Sequence, residues 1–373
     1  MTPIIDHQAE LPHDILPRLY MIPVIRTKSQ SSCPICKESG NLAYESLQDT
    51  FLSAPGGWNM RSCNNNECST YWLDPQPLPE DIGKLYANYP THTNPPRIQE
   101  RPSSFLRKLL ETIRSSVLAH HYGYPSNIHK ALRPVLSTVA WLHPGWRDAQ
   151  FLQVYYIPFI PNGHLLDIGC GGGSAMIDMQ NRGWRTTGTD FDTHAVENAR
   201  QKNLTVFQGD LLEQQFPDNT FDAILMSHVI EHVPDPIAHL RECYRVLKPG
   251  GYLVAFTPNA RSSGHIRFRK HWRGLEIPRH LQVFTPESLE YSARNAGFKT
   301  AFGRTTLQGV FYLWDASKAM EECGTFDIPP YTRFKRLQVQ FSWLLSGIRY
   351  TFAPGREETA LLWCQKQKTS PLS

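Results

Sequence analysis

The chain has 373 residues, 40% of them hydrophobic, and a formal net charge of +4. That is enough for two domains or one elaborated domain with a sizeable core, and too little charge for wholesale nucleic-acid binding, so electrostatic recognition must come from local clusters and no nucleic-acid partner is expected. No uninterrupted apolar run approaches the roughly 20 residues of a bilayer span, and no basic start precedes an apolar stretch, which makes the cytoplasm the expected compartment.

Residues 1–30 carry Pro3, Pro12, Pro17 and Pro23 without periodicity and read as an extended arm. Residues 31–79 follow as a small module. Four of the eight cysteines fall there as two knuckles, Cys33-Pro34-Ile35-Cys36 and Cys63-Asn64-Asn65-Asn66-Glu67-Cys68, separated by 26 residues around a turn at Pro55 to Gly57. Pairs in so polar a stretch are poor core residues, and four thiolates close a tetrahedral structural zinc site that leaves no position for catalysis. The second knuckle is wider than usual. Cys170, Cys243, Cys323 and Cys364 are scattered, so the pattern favours metal over disulfide.

Residues 80–160 predict a helical connector, in which Phe105, Leu106, Leu109, Leu110, Ile113 and Val117 form one apolar stripe and Arg107, Lys108, Glu111 and Arg114 face elsewhere. From residue 161 to 373 strand and helix alternate, as a parallel sheet with crossover helices requires. Strands are predicted at 164–168, 185–189, 204–207, 221–226 and 251–256, with helices around 174–182, 193–202, 236–247 and 286–296. Thr285-Pro286 supplies an N-cap and a first-turn proline for the last of these. Strands at about 299–306 and 359–365 complete the sheet, on either side of a helical insertion at about 311–357. That insertion contains a second basic amphipathic stripe, Phe334 to Ile348. The two stripes suit an anionic membrane surface near a lipid-linked molecule, but packing against the domains explains them better.

The first strand runs into Asp167-Ile168-Gly169-Cys170-Gly171-Gly172-Gly173, and Ser174 opens the helix. Glycines there let the backbone turn tightly beneath a ligand. An acid at the head of the turn repels the phosphates of a dinucleotide and attracts the ammonium and sulfonium of S-adenosylmethionine. Asp190, 23 positions later at the end of the second strand, is placed to accept both ribose hydroxyls, with Phe191 beside it. Asp210 at the end of the third is placed to accept the exocyclic amine of adenine while Leu211 covers a ring face. Either of the latter two acids alone reads as a turn cap; three acids on consecutive strand ends read as one ligand site.

Together with Phe221-Asp222-Ala223-Ile224, Glu231-His232-Val233-Pro234-Asp235-Pro236 and Leu247-Lys248-Pro249-Gly250-Gly251-Tyr252, these motifs resemble the class I S-adenosylmethionine-dependent methyltransferases over about 160–300 plus the closing strands. The resemblance implies an α/β, Rossmann-like, seven-stranded, mostly parallel sheet with helices on both faces and its last strand antiparallel. It also implies a glycine loop (Gly169, Gly171, Gly173) holding the methionine portion, Asp190 on ribose, Asp210 near adenine, and residues near Ser227 and His228 lining the cofactor. The cysteine module, followed by Asp74-Pro75-Gln76-Pro77, is similar to modules in bacterial methyltransferases that modify sugars and surface polysaccharides. Glu231-His232-Val233 and Thr257-Pro258-Asn259 extend the resemblance to ubiquinone-biosynthesis O-methyltransferases, some of which use a divalent metal near the matching glutamate and histidine. His228 stands where that group often has an acid, which weakens the case for its substrate and its metal site.

Methyl transfer needs alignment, exclusion of water and, for a hydroxyl acceptor, a base. His228 and His232 after the fourth strand and His280 in the loop after the fifth are the candidates, each being more often structural when considered alone. Arg261 to His280 holds six Lys/Arg, three histidines and one acid, Glu276, with Trp272 among them. Because one acid cannot neutralise six bases, this loop is expected to grip an anionic acceptor and stack a ring. The expected reaction is O-methylation of a nucleotide- or lipid-linked sugar or glycan precursor, with peripheral contact at the inner membrane face for a lipid-linked one. A quinol or polyketide acceptor is the enzyme alternative, and a non-enzymatic zinc-dependent interaction protein that retains the methyltransferase fold is the alternative of another class.

Overall fold

The computed structural model describes residues 24–86, 105–138, 144–324, 350 and 354–368. The N-terminal arm to residue 23 and the stripe at 334–348 lie outside the described residues. β1 (Thr27–Lys28), β2 (Gly40–Leu47), β3 (Trp58–Cys63), β4 (Tyr71–Asp74) and β5 (Gln76–Pro77) are followed by α1 (Pro79–Ile82), α2 (Phe105–Tyr122), α3 (Leu132–Thr138) and α4 (Pro144–Leu152). Then come β6 (His164–Ile168), α5 (Ser174–Gln180), β7 (Arg185–Asp190), α6 (Thr193–Arg200), β8 (Val206–Gln208), β9 (Phe221–Ser227), α7 (Pro236–Val246) and β10 (Leu247–Pro258). The chain continues through α8 (Ser263–Phe268), β11 (Gln282–Val283), α9 (Pro286–Asn295), β12 (Thr300–Thr306), α10 (Val310–Cys323) and β13 (Thr359–Gln365).

Among the described residues seven strands form the central sheet in the order β12-β13-β10-β9-β6-β7-β8. Every neighbouring pair is parallel except those made by β13, which runs antiparallel to both β10 and β12. This is the expected α/β sheet. Its inner strands are apolar on both faces because helices cover both: Leu166, Ile168, Ile224 and Met226 enter one core cluster, Leu165, Ala223 and Leu225 the other. The order reverses at β6, so β6 and β9 splay their carboxyl ends around a crevice, the usual place for a ligand in an open α/β sheet. β10 begins four residues earlier than the predicted 251, its pairing with β9 interrupted between Leu247 and Tyr252. No helix among the described residues is long and apolar enough to cross a membrane.

The stripe on α2 is only half a core face. Ile113 and Val117 bury against Trp146 and Phe151 of α4, whereas Leu109 and Leu110 are 44% and 42% exposed. Nine-residue α4 is half the length of eighteen-residue α2 and covers one end of it.

The cysteine module shares a sheet and a core with the rest of the chain. β2, β3 and β4 form an antiparallel sheet whose fourth strand is β11, contributed by the loop after β10. Cys33, Cys68 and Trp72 lie in the same apolar cluster as Phe284, Ile230 and Val233. Asp49, after β2, accepts the backbone N–H groups of Phe51, Leu52 and Ala54 at 2.9, 3.1 and 3.0 Å. The same carboxylate takes both Nη atoms of Arg279 at 2.8 and 2.9 Å, with both side chains buried. Asp49→Ala leaves this guanidinium without its bidentate partner and is expected to cost about 3–5 kcal/mol, read as a lower urea midpoint at unchanged slope. A loss below about 1 kcal/mol, the worth of a surface pair, would contradict the assignment.

Candidate functional site

The cofactor half is built where β6, β7 and β8 end. Gly169, Gly171 and Gly173 all have positive φ (67°, 52° and 79°), which side chains tolerate poorly. Two of them are also crowded: a Cβ on Gly169 would meet Val229 Cγ2 at 2.4 Å, and one on Gly173 would meet Leu204 Cδ1 at 2.1 Å. Gly173 is the N-cap of α5, and Lys202 Nζ holds the loop by donating to the Gly172 carbonyl at 2.6 Å. Asp190 is buried and ties the loop to β7: its Oδ2 accepts from Gly171 N at 2.7 Å and its Oδ1 from Asp192 N at 2.9 Å. Asp192 in turn caps α6 through His194 N and Ala195 N.

Asp167 is 3% exposed. Burial, and then the charge of Asp190, push its carboxyl up to about 8. Without a ligand it is therefore largely a neutral acid at pH 7, and a cationic group beside it is what restores the carboxylate. Phe191 is 53% exposed at the mouth, edge-on to Tyr86 with ring centroids 5.0 Å apart. Ser227 ends β9. Asp210 caps a short 3₁₀ turn through Leu212 N and also accepts from His239 Nε2 at 2.7 Å. Leu211 differs from expectation: it is 1% exposed and belongs to the core, and the residue open beside Asp210 is Leu212, 44% exposed. In the one-turn 3₁₀ helix successive side chains point about 120° apart, which sends Leu211 in and Leu212 out.

On the other side of the crevice, His228 has φ +56° and its N–H donates to Phe256 O at 2.9 Å, a strained backbone held by the adjoining strand. Its side chain is 42% exposed, and Nδ1 lies 3.2 Å from Oε1 of wholly buried Glu231. Burial works against charge on His228, but the bond to Glu231 and its charge outweigh it and raise the imidazole above its ordinary value. Burial likewise opposes ionisation of Glu231, yet the His228 bond and the surrounding histidines pull it down to about 2.

His232 Nδ1 lies 2.8 Å from Tyr86 OH and 3.0 Å from the Arg279 carbonyl. His280 is 3% exposed, with Nδ1 2.8 Å from the Gly274 carbonyl. Burial, then neighbouring His232, push it down to about 4, so it is neutral. Of the three histidines brought together here, His280 is too enclosed to meet an acceptor as a base. Glu231 Oε2 has no hydrogen-bond partner among the described residues. It converges with His232 and His280, the three ligand atoms lying within 4.8 Å of one another, a donor set suited to a divalent ion.

The basic loop is corrected. Arg279 is 0% and Arg273 5% exposed. Arg273 pairs with Glu276 at 2.6 Å, Arg279 with Asp49, Arg261 with Glu287 at 2.7 Å and Arg267 with Glu321 at 2.9 Å. Glu276 is not the only acid at hand, because the fold brings three more from distant segments. Trp272 is also buried, stacked on His265 at 4.7 Å with Nε1 donating to Glu358 Oε2 at 2.8 Å, so it stacks no ligand. What remains at the surface is a groove of about 550 Å³ lined by Ser263, Ile266, Arg267, Arg269, Trp314 and Arg356. Neither Tyr86 nor Trp314 was singled out in the sequence; Tyr86 stands 146 positions from the histidine it touches, and no spacing announces it.

All four sulfurs of Cys33, Cys36, Cys63 and Cys68 lie within 4.8 Å of one another. Cys33 and Cys68 are 3.7 Å apart, Cys36 and Cys63 3.3 Å, against the about 3.8 Å that tetrahedral Zn–S bonds of about 2.3 Å imply. The wide knuckle closes through an Asn65 turn, whose side chain accepts from Glu67 N and whose N–H donates to Cys63 Sγ at 3.4 Å.

A family model described as a methyltransferase domain matches residues 149–301. A demethylmenaquinone methyltransferase from Bacillus licheniformis is 31% identical over 200 residues, 51% of this chain and 85% of that protein. A ubiquinone biosynthesis O-methyltransferase from Pseudomonas putida is 33% identical over 110 residues, 27% of this chain; the match spans 47% of that relative, about half its length. Among solved structures, a SAM-dependent methyltransferase from Archaeoglobus fulgidus covers 59% of this chain and 92% of its own at 21% identity and a TM-score of 0.41. The chain belongs to the class I S-adenosylmethionine-dependent methyltransferases.

Asp167 gives this site a pH signature. A bound sulfonium favours the carboxylate, so below the free value of about 8 binding has to release a proton. Affinity for S-adenosylmethionine is expected to rise with pH up to about 8. Calorimetry in two buffers of different ionisation enthalpy reads the proton directly. Asp167→Asn should lose the release, and an unaltered release in that variant would sink the assignment.

Proposed function

We propose that the chain O-methylates a hydroxyl of a sugar or glycan precursor carrying an anionic link, with His228 as general base. The observation that carries this reading is the His228–Glu231 pair: a half-exposed imidazole at the end of β9, oriented through Nδ1 by a buried carboxylate 3.2 Å away. S-adenosylmethionine supplies an already activated methyl group, so the protein's task is to align the hydroxyl and take its proton. Glu231 holds the Nδ1 proton and the ring orientation, leaving Nε2 for the acceptor, in the way a carboxylate supports a catalytic histidine elsewhere. Asp190 is assigned to the ribose, Asp210 to adenine, and Gly169, Gly171 and Gly173 to the methionine portion. Exposed Arg269 and Arg356, with Trp314, of the α8 groove supply charge and a ring face for an anionic, ring-bearing acceptor, Arg267 being paired with Glu321. The quinone-pathway relatives keep a quinol as the alternative acceptor, and the convergence of Glu231 Oε2, His232 and His280 favours a bound divalent ion in that case, which would polarise the acceptor oxygen.

The cysteine cluster is proposed as a structural zinc site. Its sulfur separations support this, and so do its closed four-thiolate set and its place in a shared core. Metal analysis is expected to return one zinc per chain, and Cys33→Ser with Cys63→Ser to abolish it and lower the melting temperature. Metal-free wild-type protein with the same melting temperature would overturn the proposal.

Supplying labelled S-adenosylmethionine with extracted nucleotide sugars, lipid-linked glycans and quinols identifies the acceptor by which pool gains label; label in quinols alone rejects the sugar reading. With that acceptor, His228→Ala should lower kcat by about 10²–10⁴-fold. Because His228 must be neutral to act and its pKa is raised, the acid limb of kcat/KM should lie above the ordinary histidine value. Glu231→Gln removes the stabilising charge and should move that limb to lower pH; an unmoved limb contradicts the dyad.

A further inference from the structure

His239 has no part in the site described so far. It lies in the first turn of α7, is 3% exposed, and both ring nitrogens face acceptors. Nδ1 is 3.0 Å from the Asp235 carbonyl oxygen and Nε2 is 2.7 Å from Oδ2 of Asp210. A carbonyl and an ionised carboxylate only accept, so each nitrogen must carry a proton and the ring is an imidazolium. Asp210 is ionised: burial raises its carboxyl, but the His239 bond outweighs burial and holds it below the usual range. A buried cation in the first turn of a helix runs against both the helix dipole and desolvation. Such local conflicts are expected where a residue serves a site.

One structural consequence of this charge is the placement of Asp210. One oxygen of that carboxylate is fixed by Leu212 N at 2.8 Å and the other by His239, while Glu213 Oε2 accepts from Asp210 N at 3.1 Å. Each carboxylate oxygen retains a lone pair, and the side chain is 40% exposed at the end of β8. We propose that His239 is a positioning residue for the methyl donor, its imidazolium clamping Asp210 in the orientation that accepts the exocyclic amine of adenine and holding it more weakly on losing a proton. This rests on the assignment of Asp210 to adenine. The charged groups facing the ring are Asp210 on the neighbouring turn and Asp235 at the cap of its own helix; Cys243, one turn along α7, is a buried thiol pushed up by burial and stays protonated. Burial lowers the ring's pKa, but the bond to Asp210 and its charge more than offset this and raise it above the ordinary histidine value, so the clamp persists to higher pH than a free imidazole would allow and loosens on the alkaline side.

The test is calorimetric titration of the intact chain with S-adenosylhomocysteine between about pH 6 and 10, for wild type, His239→Gln, His239→Leu and Asp210→Ala. Wild-type affinity should fall on the alkaline side. Gln keeps a neutral donor to Asp210 and stands in for the deprotonated ring, so at pH 7 it should bind about threefold more weakly than wild type, as wild type does on the alkaline side, and lose the histidine part of that fall. Leu should bind about tenfold more weakly. ¹⁵N chemical shifts should show His239 protonated on both nitrogens at pH 7. An alkaline fall identical in wild type and His239→Gln, or a neutral His239 ring at pH 7, overturns the proposal. If Asp210→Ala binds as wild type, the adenine assignment itself fails; if Asp210→Ala weakens binding and His239→Leu does not, the assignment stands and the positioning role fails.

Discussion

The buried carboxylate of Asp190 is the interaction on which the cofactor half of this structure depends. By accepting from Gly171 N and Asp192 N it joins the glycine loop after β6 to the end of β7, and so sets where α5 and α6 begin. The same charge, in a site closed to water, works with burial to keep Asp167 protonated until a cation arrives. One acid therefore shapes the loop, makes a second acid responsive to ligand charge and presents the edge suited to a ribose. A loop built for phosphate would need the opposite electrostatics.

The acceptor half depends on a different constraint, the segment Arg279–Val283. On one side it is bound to the cysteine module, through Asp49 to Arg279, Leu73 N to Leu281 O at 2.9 Å, and β11 to β4. On the other it carries the turn that bears the histidines: Leu281 N donates to Glu231 O at 2.8 Å, Gln282 Nε2 to Val233 O at 2.6 Å, and the Arg279 carbonyl meets His232. The module thus serves as a wall of the site, and the place of His228 and Glu231 depends on residues more than 150 positions upstream. The proposed donor pocket is instead organised by the sheet and the helices that follow β6, β7 and β9, with Tyr86 reaching its mouth at Phe191.

The residues proposed to hold the donor were legible in the sequence because they sit at strand ends, where a buried apolar run announces the strand and the next polar residue must face the crevice. Asp167, Asp190 and the glycines follow from that rule, as do the strands from 164 onward. Leu211 escaped it because a one-turn 3₁₀ segment swaps inward and outward positions between neighbours. The acceptor side was less legible because its electrostatics are nonlocal. Arg279 meets Asp49 across 230 positions and Trp272 meets Glu358 across 86, so counting acids inside the 261–280 loop could not reveal that Arg261, Arg267, Arg273 and Arg279 are each paired with an acid. His239 is a case of the same kind, its charge set by an acid 29 positions away.

Calorimetric titration of the intact chain with S-adenosylmethionine tests most directly whether Asp190 organises a methyl-donor site. One donor per chain is expected to bind, and Asp190→Ala is expected to show no binding while still melting cooperatively. Folded wild-type protein that takes up no S-adenosylmethionine, or an Asp190→Ala variant that binds it as tightly as wild type, would contradict the account.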